Sequence, residues 1–259
     1  MYGSCSKEEQ RLREVAERAR SNGSAEVLVL PADVSRLDEC KRFIEETINH
    51  FGHLDHLVNN AGVAFVDVFE EVTSITNLQE VLNVNFRGAI YPTYYAIPHL
   101  RKVRGKIVVD ASATAGFPVP RISAYNTSKA AVVNFYEPMS MEIGDEIGIT
   151  SETPGWTESE ISKGIFMNCK GMQVDQKTID ALISAMPVMP ADECAEGIVK
   201  SASQGERNIT EPFWVRILIL YRLPVPETVK WSFALLSPTK QWRGRQLPSK
   251  SLEDDAKSK

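Results

Sequence analysis

The sequence predicts an α/β protein built on a doubly wound parallel sheet. Three observations carry this. Short apolar runs alternate with longer amphipathic stretches along most of the chain, the pattern of βαβ units and a parallel sheet. Each apolar run ends in a residue suited to a turn or a ligand, namely Asp33, Asn59, Ser112 or Pro154. In such sheets ligands bind at the carboxyl ends of the strands. The composition is that of a globular chain, with 259 residues, 43% hydrophobic and 24% charged, enough for a sizeable core.

The elements follow in order. Residues 7–22 read as a helix, with Leu12, Val15, Ala16 and Ala19 at helical spacing and Asn22-Gly23 as the stop. EVLVLPAD (26–33) reads as a buried strand and 36–51 as a second amphipathic helix. LDHLVNN (54–60) is the next strand. A long helical stretch covers 76–102, and its Pro92 and Pro98 predict kinks or a break. GKIVVDAS (105–112) is a strand, 123–143 a helix, and GITSETPG (148–155) a strand stopped by Pro154-Gly155. A helix at 191–203 precedes a final strand, NITEPFW.

Charge and cysteine usage narrow the function classes. With 29 Lys plus Arg against 34 Asp plus Glu, the net charge is −5, which disfavours nucleic acid as a partner. No run of 18 apolar residues is present, so no spanning helix is expected. The first twenty residues are polar and charged, with no apolar core of the kind a signal peptide needs. Cys5, Cys40, Cys169 and Cys194 form no C-x-x-C pair and read as reduced thiols on the cytosolic side. His50, His53 and His56 cluster without cysteine or carboxylate at zinc spacing, so no metal site is expected.

Chemistry concentrates at Tyr125 and Lys129, four apart on one helix face. A phenol ordinarily titrates near ~10, and an ammonium one turn away should lower that value. Such a phenol can donate and accept protons near neutrality. A packed tyrosine beside a solvated lysine gives the same spacing. Ser112 ends the preceding strand, where its hydroxyl can bind the oxygen the tyrosine protonates. Asn85, inside the long helix, can hold a helix distortion open and orient a water, or be an exposed helix residue. Asn59, Asn60, Ala61 and Gly62 follow a strand and let a flat ligand approach the backbone, or form an ordinary turn.

VNNAG (58–62), NVNFRG (83–88), Ser112, YNTSK (125–129) and TPGW (153–156) occur in order. Together they resemble the successive signatures of the short-chain dehydrogenases/reductases, across about residues 7–215. PADVS, CKRFIEETINHFGHLDHLVNNAG and YPTYYAIPHLRK narrow the resemblance to the plant 11β-hydroxysteroid dehydrogenase-like group, the steroleosins of oil bodies.

The resemblance implies a Rossmann-like sheet and reversible hydride transfer between NADP and an alcohol or ketone of a sterol-like substrate; NAD is not excluded. It implies Tyr125 as general acid/base and Lys129 as the group that lowers its pKa and binds the nicotinamide ribose. Ser112 would orient the substrate oxygen, and Asn85 would support a proton-relay water. Asp33 would contact adenine, Asn59 to Gly62 would line the adenosine side, and Pro154-Gly155 would approach the nicotinamide. An endoplasmic-reticulum or lipid-droplet surface, on its cytosolic face, is the implied location; without an anchor the cytoplasm is.

The family's first strand, glycine-rich turn and second strand precede the helix at 7–22, and neither G-x-x-x-G-x-G nor G-x-G-x-x-G occurs in this chain. The expected architecture is therefore an incomplete domain over 1–212, a basic, Trp-rich arm over 213–248 and a frayed tail over 249–259. A second reading follows: a non-catalytic remnant that pairs with full-length relatives through the helices at 76–102 and 123–143. A homodimer is the other assembly expected. Asp110 and Glu152 stand in strands where the family usually has apolar residues. A buried carboxylate must find a partner or take up a proton. Residues 213–250 carry seven cations against Glu227, with Trp214, Trp231 and Trp242 interleaved. This pattern suits a membrane interface and equally an arm packed over the substrate cleft.

Overall fold

The structure, a computed structural model, describes residues 5–117, 119–168, 171–183, 186–222, 224 and 227. Helices α1 (Cys5–Ser21) and α2 (Leu37–Phe51) come first, then strand β1 (His56–Asn59). Helix α3 (Asn77–Leu82) runs through a π-turn at Asn83–Arg87 into α4 (Gly88–Val103). Strand β2 (Lys106–Asp110), helix α5 (Ser123–Ile143) and strand β3 (Gly148–Glu152) form the centre. A hairpin of β4 (Ile165–Asn168) and β5 (Gly171–Val174) follows, then α6 (Gln176–Ile183), α7 (Ala191–Gln204), β6 (Asn208–Ile209) and α8 (Phe213–Arg222).

The sheet order is β1-β2-β3-β6, and every pairing is parallel. Strand β2 is covered on both faces, with Ile107, Val108 and Val109 buried, as a central parallel strand requires. Helix α5 lays Lys129, Val132 and Tyr136 on the sheet side, a spacing of three and four that fits one helical face. Helix α4 buries Ala89, Thr93, Ala96 and Leu100 in the same core. Leu100, Ile107, Val109 and Val132 are wholly buried, each worth about 1.5–3 kcal/mol over an exposed side chain. Gly88 lets α4 close on the loop before α2, since a Cβ there would stand 2.7 Å from Val34 Cγ2.

Three sequence expectations are corrected, and one element is new. The run 26–33 is not a strand: among the described residues it joins no ladder, and Val27 to Leu30 are only half-buried. A strand needs a neighbour, and here arginines serve the backbone instead. Arg20 donates to the Val27 carbonyl (3.0 Å) and Arg42 to that of Pro31 (2.6 Å). The long helix is interrupted at Asn83–Arg87, upstream of both prolines, and α4 continues through Pro92 and Pro98. There the ladder widens to the i→i−5 pattern of a π-turn. The final strand shrinks to Asn208–Ile209, and Phe213 and Trp214 open helix α8 instead. The β4–β5 hairpin was not foreseen; Val66 and Met167 tie it to the loop after β1 through backbone bonds of 2.8–2.9 Å.

Of the basic arm, α8 is described, whereas Trp231, Trp242 and the tail 249–259 lie outside the described residues. Among the described residues no helix is long and apolar enough to cross a membrane. Nor does any group of three or more His, Cys, Asp or Glu stand ready to hold a metal. His50 and His53 instead pair separately with Glu26 and Asp55, at 2.7 and 3.1 Å.

Candidate active site

The site lies beyond the carboxyl ends of β2 and β3. Backbone bonds extend that ladder past the strands, from Ala111 to the Glu152 carbonyl and from Ala113 to that of Pro154, both 2.8 Å. They hold Ser112 and Pro154-Gly155 side by side. Ser112 is extended and caps the short 3-10 turn Ala113–Ala115. Its Oγ accepts from the Thr114 amide (3.2 Å) and the Thr114 hydroxyl (3.1 Å). A hydroxyl has two lone pairs and one hydrogen. Both lone pairs are thus engaged and the hydrogen is left to donate.

Helix α5 brings Tyr125 to the same rim, one turn before Lys129, whose Nζ is 5.8 Å from the Tyr125 ring centroid. Lys129 is almost wholly buried; Nζ donates to the Asp110 carbonyl (2.8 Å) and stands 3.2 Å from its carboxylate Oδ2. An ammonium has three N–H bonds, so one remains for a ligand. Burial, the largest single influence, opposes the charge on Lys129, but Asp110, Tyr125 and Glu152 together more than offset it and raise the pKa above the ordinary lysine value.

The sequence argument that Lys129 acidifies Tyr125 is only half right. Burial raises the phenol's pKa above 10. Lys129 pulls the other way, but Asp110 offsets part of that pull. The two unexpected strand carboxylates thus resolve differently. Asp110 pairs with Lys129. Glu152, directly opposite in register, is 1% exposed, and burial pushes it up to about 8. That shift favours its protonated form at neutral pH, and Cys194 Sγ lies 3.5 Å from its Oε1.

The remaining expected residues divide. Asn60 and Gly62 line the cleft, while Ala61 is exposed beside them. The Asn59 side chain points into the core, where Nδ2 donates to Thr93 (3.0 Å) and Tyr136 (3.2 Å). Asn85 is buried in the π-turn and clamps Val63: Oδ1 accepts its amide (2.8 Å) and Nδ2 donates to its carbonyl (2.9 Å). Nδ2 also donates to Ser128 Oγ (2.9 Å). The distortion expected of Asn85 is present, and its side chain is spent on holding the loop after Gly62. Asp33 lies outside the cleft lining, where Oδ1 accepts the Ser35 amide (2.9 Å) and hydroxyl (2.7 Å) before α2.

A family model described as short chain dehydrogenase matches residues 2–170. The chain belongs to the short-chain dehydrogenase family. It is 48% identical over 229 residues to an 11-beta-hydroxysteroid dehydrogenase A of Arachis hypogaea, covering 88% of this chain and 66% of that protein. It is 44% identical over 245 residues to an 11-beta-hydroxysteroid dehydrogenase A of Sesamum indicum, covering 92% of this chain and 70% of that one. The chain thus spans about two thirds of the length of these relatives. A short-chain dehydrogenase/reductase from Burkholderia phymatum, solved in complex with NAD, shares the fold with a TM-score of 0.72 at 20% identity. The match covers 85% of this chain and 83% of that one.

In this dehydrogenase-family chain one cavity of about 470 Å³ joins the polar rim to an apolar wall of Val66, Phe117, Ile122, Ile161, Trp156 and Trp214. Of this wall the sequence offered only the share of the C-terminal arm; Val66, Phe117, Ile122, Trp156 and Ile161 were not singled out. Trp214 and Val215 come from α8, and Gly155 admits that helix: a Cβ there would meet Val215 Cγ2 at 3.1 Å. The available signal was the Phe213-Trp214 pair, read above as the end of a strand and as the start of an arm suited to a membrane interface or to the substrate cleft. The first turns of the arm therefore pack over the cleft.

Proposed function

We propose that this chain carries the catalytic part of an NADP-dependent oxidoreductase that interconverts a ketone and a secondary alcohol on a steroid or sterol-like lipid. The observation that carries this reading is the convergence of Ser112, Tyr125 and Lys129 on one rim of an apolar cavity. A bound nicotinamide cofactor would supply the hydride. The chain's residues fit its nicotinamide-ribose end: Lys129 keeps one N–H free, and Pro154-Gly155 borders the same cleft. Gly62 adds a small residue there.

In the reductive direction the substrate oxygen receives a hydrogen bond from the Ser112 hydroxyl. Tyr125 then gives that oxygen its phenolic proton, and Lys129 steadies the phenolate left behind. In the oxidative direction the phenolate takes the alcohol proton. Asn85 supports the relay through the π-turn it occupies. The apolar wall excludes water and suits a flat lipid ring system. The names of the 11-beta-hydroxysteroid dehydrogenase relatives support the substrate class; NADP is the cofactor the sequence resemblance implies, with NAD the alternative.

A peripheral attachment to a membrane or lipid-droplet surface completes the reading. The outer face of α8 exposes Phe213, Ile217, Leu220 and Tyr221 beside Arg216, an apolar stripe with a cation. A homodimer, or a dimer with a full-length relative through α4 and α5, is part of the same proposal. The test is calorimetry with NADPH, then NADPH oxidation with a panel of steroid ketones. Micromolar binding with turnover supports the enzyme. A chain that ignores NADPH, and NADH tried in its place, is the non-catalytic partner instead.

A further inference from the structure

The proposed proton relay leaves one buried polar side chain of the cleft without a task. Glu152 closes β3, is almost wholly buried and lines the cavity. Its hydrogen-bond partner among the described residues is the Cys194 thiol, with Sγ 3.5 Å from Oε1, and a thiol is a weak donor. Oε2 has no such partner among the described residues and is not sealed in protein, so it opens on the cavity. The donors around it are spent elsewhere. The amides of Ala111, Thr153 and Gly155 serve the carbonyls of Glu152, Ile209 and Glu211. Lys129 turns to the carbonyl and carboxylate of Asp110, and Thr157 Oγ1 to the Gly155 carbonyl and Cys194 Sγ.

Buried polar atoms are ordinarily matched. An acceptor left open towards a cavity is matched by what fills the cavity. Glu152 pairs in register with Asp110 and stands two residues before Pro154, which the extended ladder sets beside Ser112. At ~3.3 Å per residue it lies roughly 6–7 Å along the strand from the Ser112 level. An atom held by Glu152 is therefore distinct from the oxygen held by Ser112. The cavity lining also carries Asp110, Glu158 and Glu160 against Lys129, which Asp110 already matches. An anion beside Glu152 would meet like charge; a neutral donor would not.

We propose that Glu152 is a ligand-binding residue of this cleft, accepting a hydrogen bond from a neutral donor, a hydroxyl or an amide N–H, on the molecule bound there. The inference rests on the cleft being the ligand site of the proposed reaction. A carboxyl keeps an acceptor oxygen whether ionised or protonated, so the contact does not depend on its charge. Two sources present this chemistry: the carboxamide of a nicotinamide and a hydroxyl of a lipid. Glu152 acts on binding and selection and takes no part in the proton transfer.

The test uses the full chain and reads binding rather than turnover, through the fluorescence of Trp156 and Trp214, which line the cavity. Each ligand is paired with an analogue that lacks the donor. NADPH is set against its 3-acetylpyridine analogue, whose methyl ketone has no N–H, and monohydroxylated progesterones are set against progesterone. In one series the wild type should prefer the donor-bearing ligand by about 10-fold. That preference should fall to about 2-fold or less in Glu152→Met, which keeps the length and loses the acceptor. Glu152→Gln, which keeps an acceptor oxygen, should retain part of it. Glu152→Val, an apolar residue suited to a strand, gives the same reading where Glu152→Met fails to fold. A preference in the nicotinamide series assigns the contact to the cofactor, and one in the steroid series assigns it to the lipid. A wild type with no preference in either series overturns the proposal without any variant. So does a preference that survives unchanged in Glu152→Met or Glu152→Val. A preference that depends on Glu152 without NADPH turnover removes the proposed reaction and leaves the contact standing. Turnover without such a preference does the reverse.

Discussion

The two sides of the sheet differ in how firmly they are built. Around β2 and β3, helices α4 and α5 bury Leu100, Ile107, Val109, Val132 and Tyr136 completely. Around β1, Val58 is 61% exposed, and on α1 Val15 is 60% exposed while Ala16 is that helix's one buried apolar residue among those described. The apolar run 27–30 beside α1 has arginine side chains where a strand would have a ladder. The groups proposed to transfer the proton all stand on the firm side. Ser112 extends β2, Tyr125 and Lys129 ride on α5, and Pro154-Gly155 extends β3. The loosely built side holds the positions expected to meet the adenosine half of a cofactor. The proposed chemistry and the expected cofactor contacts thus rest on packing of very different quality.

The sharpest way to break this contrast is a matched pair of truncations read by denaturant unfolding. Ile107→Ala in the firm core should cost about 2–5 kcal/mol. Val58→Ala at the exposed edge should stay within about 0.5 kcal/mol of wild type. Equal losses would erase the difference between the two sides.

A smaller effect is expected from the polar network under the sheet. Tyr136 donates to the Ala89 carbonyl (2.8 Å) and receives Asn59. Asn59→Ala should therefore destabilise by about 1–3 kcal/mol through the partners it leaves buried. It should leave cofactor affinity nearly unchanged, since its amide points away from the cleft. A large loss of affinity with unchanged stability would return Asn59 to the binding surface.

Glu152 gives a pH signature on the firm side. Its pKa rises from the ordinary 4.5 to about 8 on folding, so between those values the folded state binds more protons than the unfolded. Stability therefore falls as pH rises through that window. Glu152→Gln should flatten the dependence, raising the melting temperature above pH 8 and changing little below pH 4.5. An unchanged slope would show that Glu152 is not the group responsible. A small effect is also expected on the loose side: Arg20→Ala, which loses an exposed contact to the Val27 carbonyl, should cost about 0.5 kcal/mol or less.

The same contrast explains what could be read from the sequence. Helix α5 matched its expected span of 123–143, because its apolar face and its neighbours are local to it. Tyr125 and Lys129 were legible as a pair because four-residue spacing fixes a shared face. The stretch 26–33 read as a strand from its apolar run, but a ladder needs a partner strand that periodicity does not encode. Asn59 read as a ligand contact because turn chemistry and core chemistry use the same residue; only Thr93 and Tyr136, 34 and 77 residues away, decide between them. The acidified phenol failed for a similar reason. Lys129 was visible in sequence, whereas the burial of the site and the claim of Asp110 on the ammonium are tertiary facts.

In the proposed reaction Tyr125, steadied by Lys129 and aided by Ser112, would move the proton while a nicotinamide would supply the hydride. Its most direct test is the rate of NADPH oxidation with a steroid ketone by wild type and by Tyr125→Phe, each first shown to bind NADPH. The account predicts that loss of the phenol lowers turnover by ~10²-fold or more at unchanged cofactor affinity. Equal rates in the two proteins would contradict it.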